Sequence, residues 1–257
     1  MKRINKTPNT PDGLKAFAID NPEGTWAQFK GNTEEEAQAY QALWPQIFDQ
    51  QGWLCGYCET QIDRTKPKEK SIEHFHDKSD HSGIHNWDLD WFNLFGVCRG
   101  GEHADKIQYP RPANLSCDAH KNHKKDELTE NPQGLILNPL SLPNQPCLFS
   151  FEPATGELKA HQENCAKATI ADNQYDSVSA LVEKTIYFLN LNCKRLKDER
   201  KKVFAEYQRL MTNARQRNNT EIKQQLAEQW FDQKIKSFYT TRRILVEPLG
   251  EQWISST

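Results

Sequence analysis

Cys55 and Cys58 form a Cys-x-x-Cys pair, and Glu73 and His74 follow as an acid–histidine dipeptide. Asn93 precedes Leu94 in a Trp-Phe-Asn-Leu run, and Cys117 opens the string Cys-Asp-Ala-His-Lys-Asn-His-Lys-Lys. Each residue type suits a different task. Thiolates are ligands of a structural zinc ion, held about 2.3 Å from it. A carboxylate suits a hard divalent cation such as Mg²⁺. A histidine, with its pKa near neutrality, can take a proton from water. A braced fold, a cation facing charged oxygens and an activated water together make the equipment of metal-assisted hydrolysis.

The Cys-x-x-Cys pair presents two sulfurs on one tight turn. Its other half is expected to be Cys98 and Cys117, giving four thiolates. Eighteen residues separate those two, where a second tight knuckle is commoner, so His103 or His120 could stand in for one thiolate. Cys147, Cys165 and Cys193 lie outside the pattern and read as packing residues. Asp118 and Asn122 share a helix face at i,i+4 and join Glu73 as candidate cation ligands. His120 and His123, at i,i+3, join His74 and Asn93 as candidate catalytic residues, with His74 as the base and Asn93 fixing the histidine or its loop. In an ideal strand Glu73 and His74 point to opposite faces, so a twist or bulge is expected if both are to serve one site. His76, His81, His85 and His161 read as solvated, the first two lying close to His74. Taken singly, each feature has an ordinary reading as a solvated pair, a turn residue or an exposed helix end. Their order behind the Cys-x-x-Cys pair favours chemistry.

The 257 residues are enough for a buried core, with 36% hydrophobic and 26% charged residues and a net charge of −2. That balance argues neither for nor against nucleic acid, but its distribution is uneven. Between Lys194 and Arg243 there are 14 Lys and Arg against 6 Asp and Glu. Nothing at the start reads as a secretion signal and no window approaches a membrane span. With seven cysteines, a cytoplasmic protein using thiols as metal ligands is expected rather than a disulfide framework.

The pattern predicts an α+β chain, mainly helical, in three stretches. Residues 1–54 hold an extended arm of about 25 residues and a helix from Thr33 to Gln51 with an acidic start. Residues 55–130 show short apolar runs broken by Gly, Pro and Asp, as a metal-stapled module would. Residues 131–257 begin with short strands at Leu135–Leu137 and Cys147–Phe149 and a hairpin turning at Gly156. Helices follow, with a stripe from Val178 to Leu189, a second helix capped by Asn192, and a third carrying Ile222, Leu226, Trp230 and Phe238. Lys194, Arg195, Lys197, Arg200, Lys201 and Lys202 are expected to form an outward basic cluster, for a partner or for phosphates.

The runs Trp53-Leu-Cys-Gly-Tyr-Cys-Glu59, Ile72-Glu-His-Phe75, Leu89-Asp-Trp-Phe-Asn-Leu94, Cys98 and Cys117-Asp118 resemble the HNH nucleases of Septu-type and retron-associated anti-phage systems. The opening Met1-Lys-Arg-Ile-Asn-Lys6, Leu137-Asn-Pro139, the Phe-x-Phe hairpin and Thr185-Ile-Tyr-Phe-Leu-Asn-Leu-Asn192 are similar too, so the resemblance covers nearly the whole chain. It implies a ββα-metal nuclease module within residues 55–130, stapled by structural Zn²⁺ and working with catalytic Mg²⁺ or a similar cation. His74 would be the base, Asn93 the signature asparagine, and Glu73 and Asp118 the metal-binding positions. Asp118 stands directly after the last cysteine where His or Asn is commoner, so the third signature residue stays open among Asp118, His120 and His123. The implied function is an endonuclease effector cutting DNA or RNA, tRNA included. Its implied partners are an ABC/SMC-like ATPase, docked by the carboxyl half and the amino-terminal arm, and a retron reverse transcriptase with its RNA–DNA. No membrane is implied. The alternative is a zinc-dependent nucleic-acid-binding or scaffold subunit without catalysis.

Overall fold

The computed structural model describes the chain except residues 32, 79, 81, 82, 125, 126, 129, 130, 232–234 and 250–257. The elements run α1 (Asp12–Asp20), α2 (Trp26–Phe29), α3 (Glu34–Gln50), β1 (Lys70–His74), β2 (Leu94–Cys98), α4 (Cys117–His123), β3 (Phe149–Glu152), β4 (Glu157–Ala160), α5 (Gln162–Lys167), α6 (Val178–Phe188), α7 (Lys194–Gln216), α8 (Ile222–Phe231) and α9 (Tyr239–Val246). Among the described residues the fold is thus mostly helical with two small antiparallel sheets, β1–β2 and β3–β4. Among the described residues no helix is long and apolar enough to cross a membrane.

α3 starts where its capping chemistry dictates. The Thr33 hydroxyl accepts from the Glu36 amide, and the Glu36 carboxylate accepts from the Thr33 amide at 2.8 Å, a reciprocal cap that satisfies two orphan donors. Leu43, Ile47 and Phe48 are buried, and Phe48 presses so closely on β2 that a Cβ on Gly96 would lie 2.3 Å from its ring. Gln51, buried at the end of this helix, holds the strand: its Nε2 donates to the Gly96 carbonyl at 2.7 Å and its Oε1 accepts from the Gly96 amide at 2.8 Å. One apolar cluster extends from Met1 to Phe238 and includes residues of all three stretches.

The amino terminus is not a free arm. Residues Asp12–Asp20 wind into α1, and Ile4, 4% exposed, donates its amide to the Pro139 carbonyl at 2.8 Å. The Met1 ammonium donates to Thr240 Oγ1 at 2.6 Å and pairs with Glu59. Burial of apolar side chains on an otherwise polar segment overrides the lack of periodicity. The Phe-x-Phe hairpin forms as β3–β4, but Leu135–Leu137 makes only an isolated bridge, Gln133 with Ile136.

Asn192 does not cap the next helix. Its amide accepts from the Leu158 amide at 2.9 Å and donates to the Leu158 carbonyl at 2.8 Å, satisfying backbone groups of β4. Cys193 takes the cap position of α7 instead. The expected third helix divides, α8 ending at Phe231 and α9 beginning after Phe238, which adopts a left-handed φ of 55°. The basic cluster is also not outward as a whole. Arg200 is 1% exposed and Arg195 half-buried, while Lys194 and Lys201 pair with Asp198, Lys197 with Glu157, and Lys202 with Glu199. Helical spacing puts Asp198 and Glu199 one turn from their lysines and Glu157 comes from β4, while the burial of two arginines has its cause in the site described next.

Candidate active site

The Cys55–Cys58 turn is tied to β2 by the Gly56 amide, which donates to the Gly96 carbonyl at 3.0 Å. This places the turn beside Cys98 at the end of that strand. Cys117 comes from the first residue of α4, where its amide donates to the Leu189 carbonyl at 2.8 Å and its φ is 55°. A left-handed non-glycine residue is strained, a feature that clusters at functional sites. The four sulfurs meet with Cys55–Cys117 at 3.7 Å, Cys58–Cys98 at 3.6 Å and Cys98–Cys117 at 3.9 Å, all within 4.8 Å. A tetrahedral zinc with 2.3 Å bonds requires sulfur–sulfur edges of about 3.8 Å.

The long separation of Cys98 and Cys117 is closed by backbone contact. Gly100, at φ 58°, accepts the Ser116 amide at 2.9 Å, and a Cβ there would meet the Ser116 carbonyl oxygen at 2.1 Å. Neither imidazole proposed as a substitute approaches the sulfurs by its contacts. His103 is exposed with Nε2 3.2 Å from the Lys68 carbonyl, and His120 Nδ1 is 2.8 Å from the Phe188 carbonyl.

The electrostatics fit a metal tetrathiolate. Burial pushes the Cys55 and Cys117 thiols well above their usual range, whereas at Cys58 the neighbouring thiols and Arg195 overcome burial and bring the group well below it. Arg200 hydrogen-bonds the Gly156 carbonyl at 3.3 Å and the Asn192 amide oxygen at 3.5 Å, not a carboxylate. Burial pulls its pKa to about 10, opposed chiefly by Cys58 and Glu59. Arg195 donates to Ser116 Oγ at 2.8 Å; burial would lower its pKa, but Cys58 and the other sulfurs outweigh that and raise it. A buried guanidinium is costly without a negative charge nearby. Four thiolates around Zn²⁺ keep a net negative charge, which these two arginines would balance. The donor set and its surroundings therefore suit zinc.

The hydrolytic half begins at the end of β1. Its pairing is regular, Glu73 opposite Phe95 and His74 opposite Leu94. No bulge turns Glu73 and His74 to one side; they face different neighbours. Glu73, 6% exposed, accepts from the Tyr57 hydroxyl at 3.1 Å and pairs with the Lys121 ammonium from α4. Burial raises its pKa to about 8; Lys121 opposes the rise and the adjacent Asp118 adds to it. For Lys121 burial acts downward, but the Glu73 and Asp118 carboxylates outweigh it and raise the pKa. Asn122 Nδ2 donates to Asp118 Oδ1 at 3.0 Å, so Glu73, Asp118 and Asn122 are brought together.

His74 lies on the other side, edge-on to Trp26 with ring centroids 4.7 Å apart. Its Nε2 is 3.1 Å from the Asp88 carbonyl oxygen. A carbonyl only accepts, so this contact assigns the proton to Nε2 and leaves a lone pair on Nδ1. Burial lowers the ring's pKa to about 4, with the Asp88 hydrogen bond opposing, so the neutral form prevails at physiological pH. Asp88 also accepts the Trp26 amide on Oδ2 at 2.9 Å, fixing histidine and indole together.

Asn93 acts on the loop between the strands. Its Oδ1 accepts the His76 amide at 2.8 Å, and its Nδ2 donates to the carbonyls of His76 at 3.0 Å and Trp87 at 2.9 Å. His76 stacks on Trp87 at 3.9 Å and pairs with Asp80, and His85 Nε2 is 2.9 Å from Asp90. These contacts make His76 a buried part of the loop, unlike the solvated reading. His81 lies outside the described residues. His120 is turned towards α6, while His123 is exposed. Sequence reasoning missed Tyr57, Lys121, Asp88, Trp26 and Asp77, whose carboxylate is close enough to act on both His74 and Lys121. Lys121 was legible, since it stands one turn from Asp118 on α4; nothing local marks Trp26 or Asp88.

A buried neutral imidazole, a carboxylate pair and a four-thiol cluster together suit a hydrolase with a candidate metal brace. No protein-family model matches the chain. It is 38% identical over 250 residues to a protein assigned as the HNH endonuclease of retron Ec83 from Escherichia coli, across 96% of this chain and 94% of that protein. The chain belongs to the retron-associated HNH endonucleases, and it is an enzyme of that class.

Proposed function

We propose that this endonuclease is a metal-dependent effector of an anti-phage defence complex, with His74 as general base and Glu73 and Asp118 holding the catalytic cation. The observation that carries the reading is the meeting of Glu73 from β1 with Asp118 from α4. His74 is the next and last residue of that strand, and although it faces other neighbours, Asp77 lies within range of both it and Lys121, so the two faces converge at the strand end. This hairpin-and-helix core is read as the ββα-metal module of the family. A bound Mg²⁺ or similar ion would supply charge stabilisation to the phosphate oxygens. His74 takes a water proton on Nδ1 as the water oxygen attacks phosphorus and the bond to the leaving sugar oxygen breaks, that oxygen taking a proton from solvent, while Nε2–H stays on the Asp88 carbonyl and keeps the ring from turning. Asn93 keeps the loop carrying Asp77 and Asp88 closed, and Asn122 steadies Asp118. Cys55, Cys58, Cys98 and Cys117 hold the structural zinc.

The substrate is DNA or RNA, tRNA included. Resemblance to Septu-type systems supports an ABC/SMC-like ATPase partner, and the relative's retron supports a reverse transcriptase with its RNA–DNA. The test is His74→Ala in the purified complex, offered duplex DNA, single strands and tRNA with and without Mg²⁺. Cleavage should fall by about 100-fold or more with zinc content and assembly unchanged. Wild-type cleavage by this variant would overturn the reading.

A further inference from the structure

We propose that Lys121, paired with Glu73, is a built-in counter-cation of the divalent-cation seat that Glu73 forms with Asp118, and that a metal enters only by displacing it. The inference rests on the reading that these two carboxylates hold the catalytic cation. The geometry makes Lys121 the present occupant. Its side chain is 14% exposed and that of Glu73 7% exposed, so the pair is largely withdrawn from water. Lys121 follows Asp118 by three residues on α4, which puts both side chains on one face of the helix. Glu73 reaches the same place from β1, with the Tyr57 hydroxyl donating to the oxygen that also receives the ammonium. The Asn122 amide holds Asp118 from its outer side, and Asp77 adds a further negative charge within range of Lys121.

Two adjacent carboxylates repel, and the buried one, Glu73, is costly without a positive partner. The ammonium meets both needs. It also competes, because an ammonium and a dication drawn to the same oxygens would stand a few ångströms apart in a poorly screened site. Lysine has a flexible four-carbon stem and a compact charge, so it can withdraw to solvent without moving the helix. In the free nuclease the ammonium offsets part of the seat's negative charge, and the affinity for the activating ion is set by what Lys121 must give up.

The test uses the zinc-loaded full chain, with Mn²⁺ as the probe and free Mn²⁺ read by electron paramagnetic resonance at one fixed pH for all variants. Breaking one charge-assisted contact is worth on the order of tenfold in an equilibrium. Lys121→Gln should therefore bind Mn²⁺ about tenfold more tightly than wild type, while Lys121→Arg should stay near the wild-type affinity. Lys121→Met replaces Gln if the Gln variant does not retain zinc. Adding Glu73→Gln to Lys121→Gln should abolish the tight site. If Lys121→Gln binds Mn²⁺ no better than wild type and Glu73→Gln still removes binding, the lysine proposal fails and the cation seat stands. If Glu73→Gln and Asp118→Asn bind Mn²⁺ like wild type, the cation seat itself is refuted.

Discussion

Removing the indole of Trp26 should make His74 easier to protonate. Burial is the principal cause of its displacement from the ordinary 6.5 to about 4, and the Trp26 ring packs directly against the imidazole. At about 1.4 kcal/mol per pH unit, that displacement corresponds to roughly 3 kcal/mol against the charged ring. Opening one wall of the enclosure should restore about one unit, because other buried neighbours and the Asp88 contact remain. The linkage has a definite sign. The folded pKa lies below the unfolded one, so between pH 6.5 and about 4 the unfolded chain binds the proton that the folded chain refuses. The neutral ring's contribution to stability is complete above that window and is lost as pH falls through it, with a slope near 1.4 kcal/mol per unit.

The measurement is a histidine ¹³C NMR titration with His74→Gln identifying the resonance, followed by the pH–rate profile of the same proteins. Wild-type His74 should titrate near 4 and the Trp26→Ala ring about one unit higher, with the acid limb of cleavage moving likewise. Trp26 is 3% exposed, and truncating a buried Trp costs about 3–5 kcal/mol. Trp26→Phe, which keeps a ring, is therefore the companion variant and should give a smaller displacement in the same direction. A wild-type His74 titrating at its ordinary value, or one unmoved in both variants, would refute burial as the source of the neutral base.

Cys55→Ser or Cys58→Ser should lower zinc content and melting temperature together, whereas Cys147→Ser, away from the cluster, should leave zinc stoichiometry unchanged; a well-folded wild-type protein without zinc in elemental analysis would count against the brace. Gly100→Ala forces a Cβ to 2.1 Å from the Ser116 carbonyl oxygen at a φ of 58°, so it should cost about 1–3 kcal/mol in thermal or denaturant unfolding. It should also release zinc to a competing chelator sooner than wild type; unchanged stability and zinc retention would show that the close approach does not position Cys98 and Cys117.

The sequence was most legible where local chemistry determines structure. Thr33 and Glu36 mark the start of α3, the stripe from Val178 to Phe188 forms α6, and the Phe-x-Phe hairpin turns at Gly156 as expected. The Cys-x-x-Cys turn was equally plain. The coming together of Cys98 and Cys117 was harder to foresee, because it depends on a glycine meeting a serine carbonyl across the intervening loop. The same limit explains His120. Helical spacing showed that it shared a short helix with Asp118, but the Phe188 carbonyl on a distant segment decides where its ring goes. The basic run at Lys194–Lys202 misled because sequence gives charge and not direction; Arg195 and Arg200 turn inward towards the thiols.

That inward turn explains why the chemistry draws on residues far outside the Cys55–His123 region. The four-thiol cluster and the Glu73–Asp118 pair gather acidic groups in one small region, which draws counter-charge from elsewhere in the chain. Arg195 and Arg200 come from α7, the carbonyl holding Cys117 from Leu189, and the indole enclosing His74 from α2. Glu59, next to the thiol turn, receives the Met1 ammonium, and its carbonyl receives the Phe238 amide. The outer elements therefore do more than cover a finished centre. They enclose His74, bring two guanidiniums towards the thiols and fix the strained first residue of α4, so the geometry of the candidate site is a property of the packed chain as a whole.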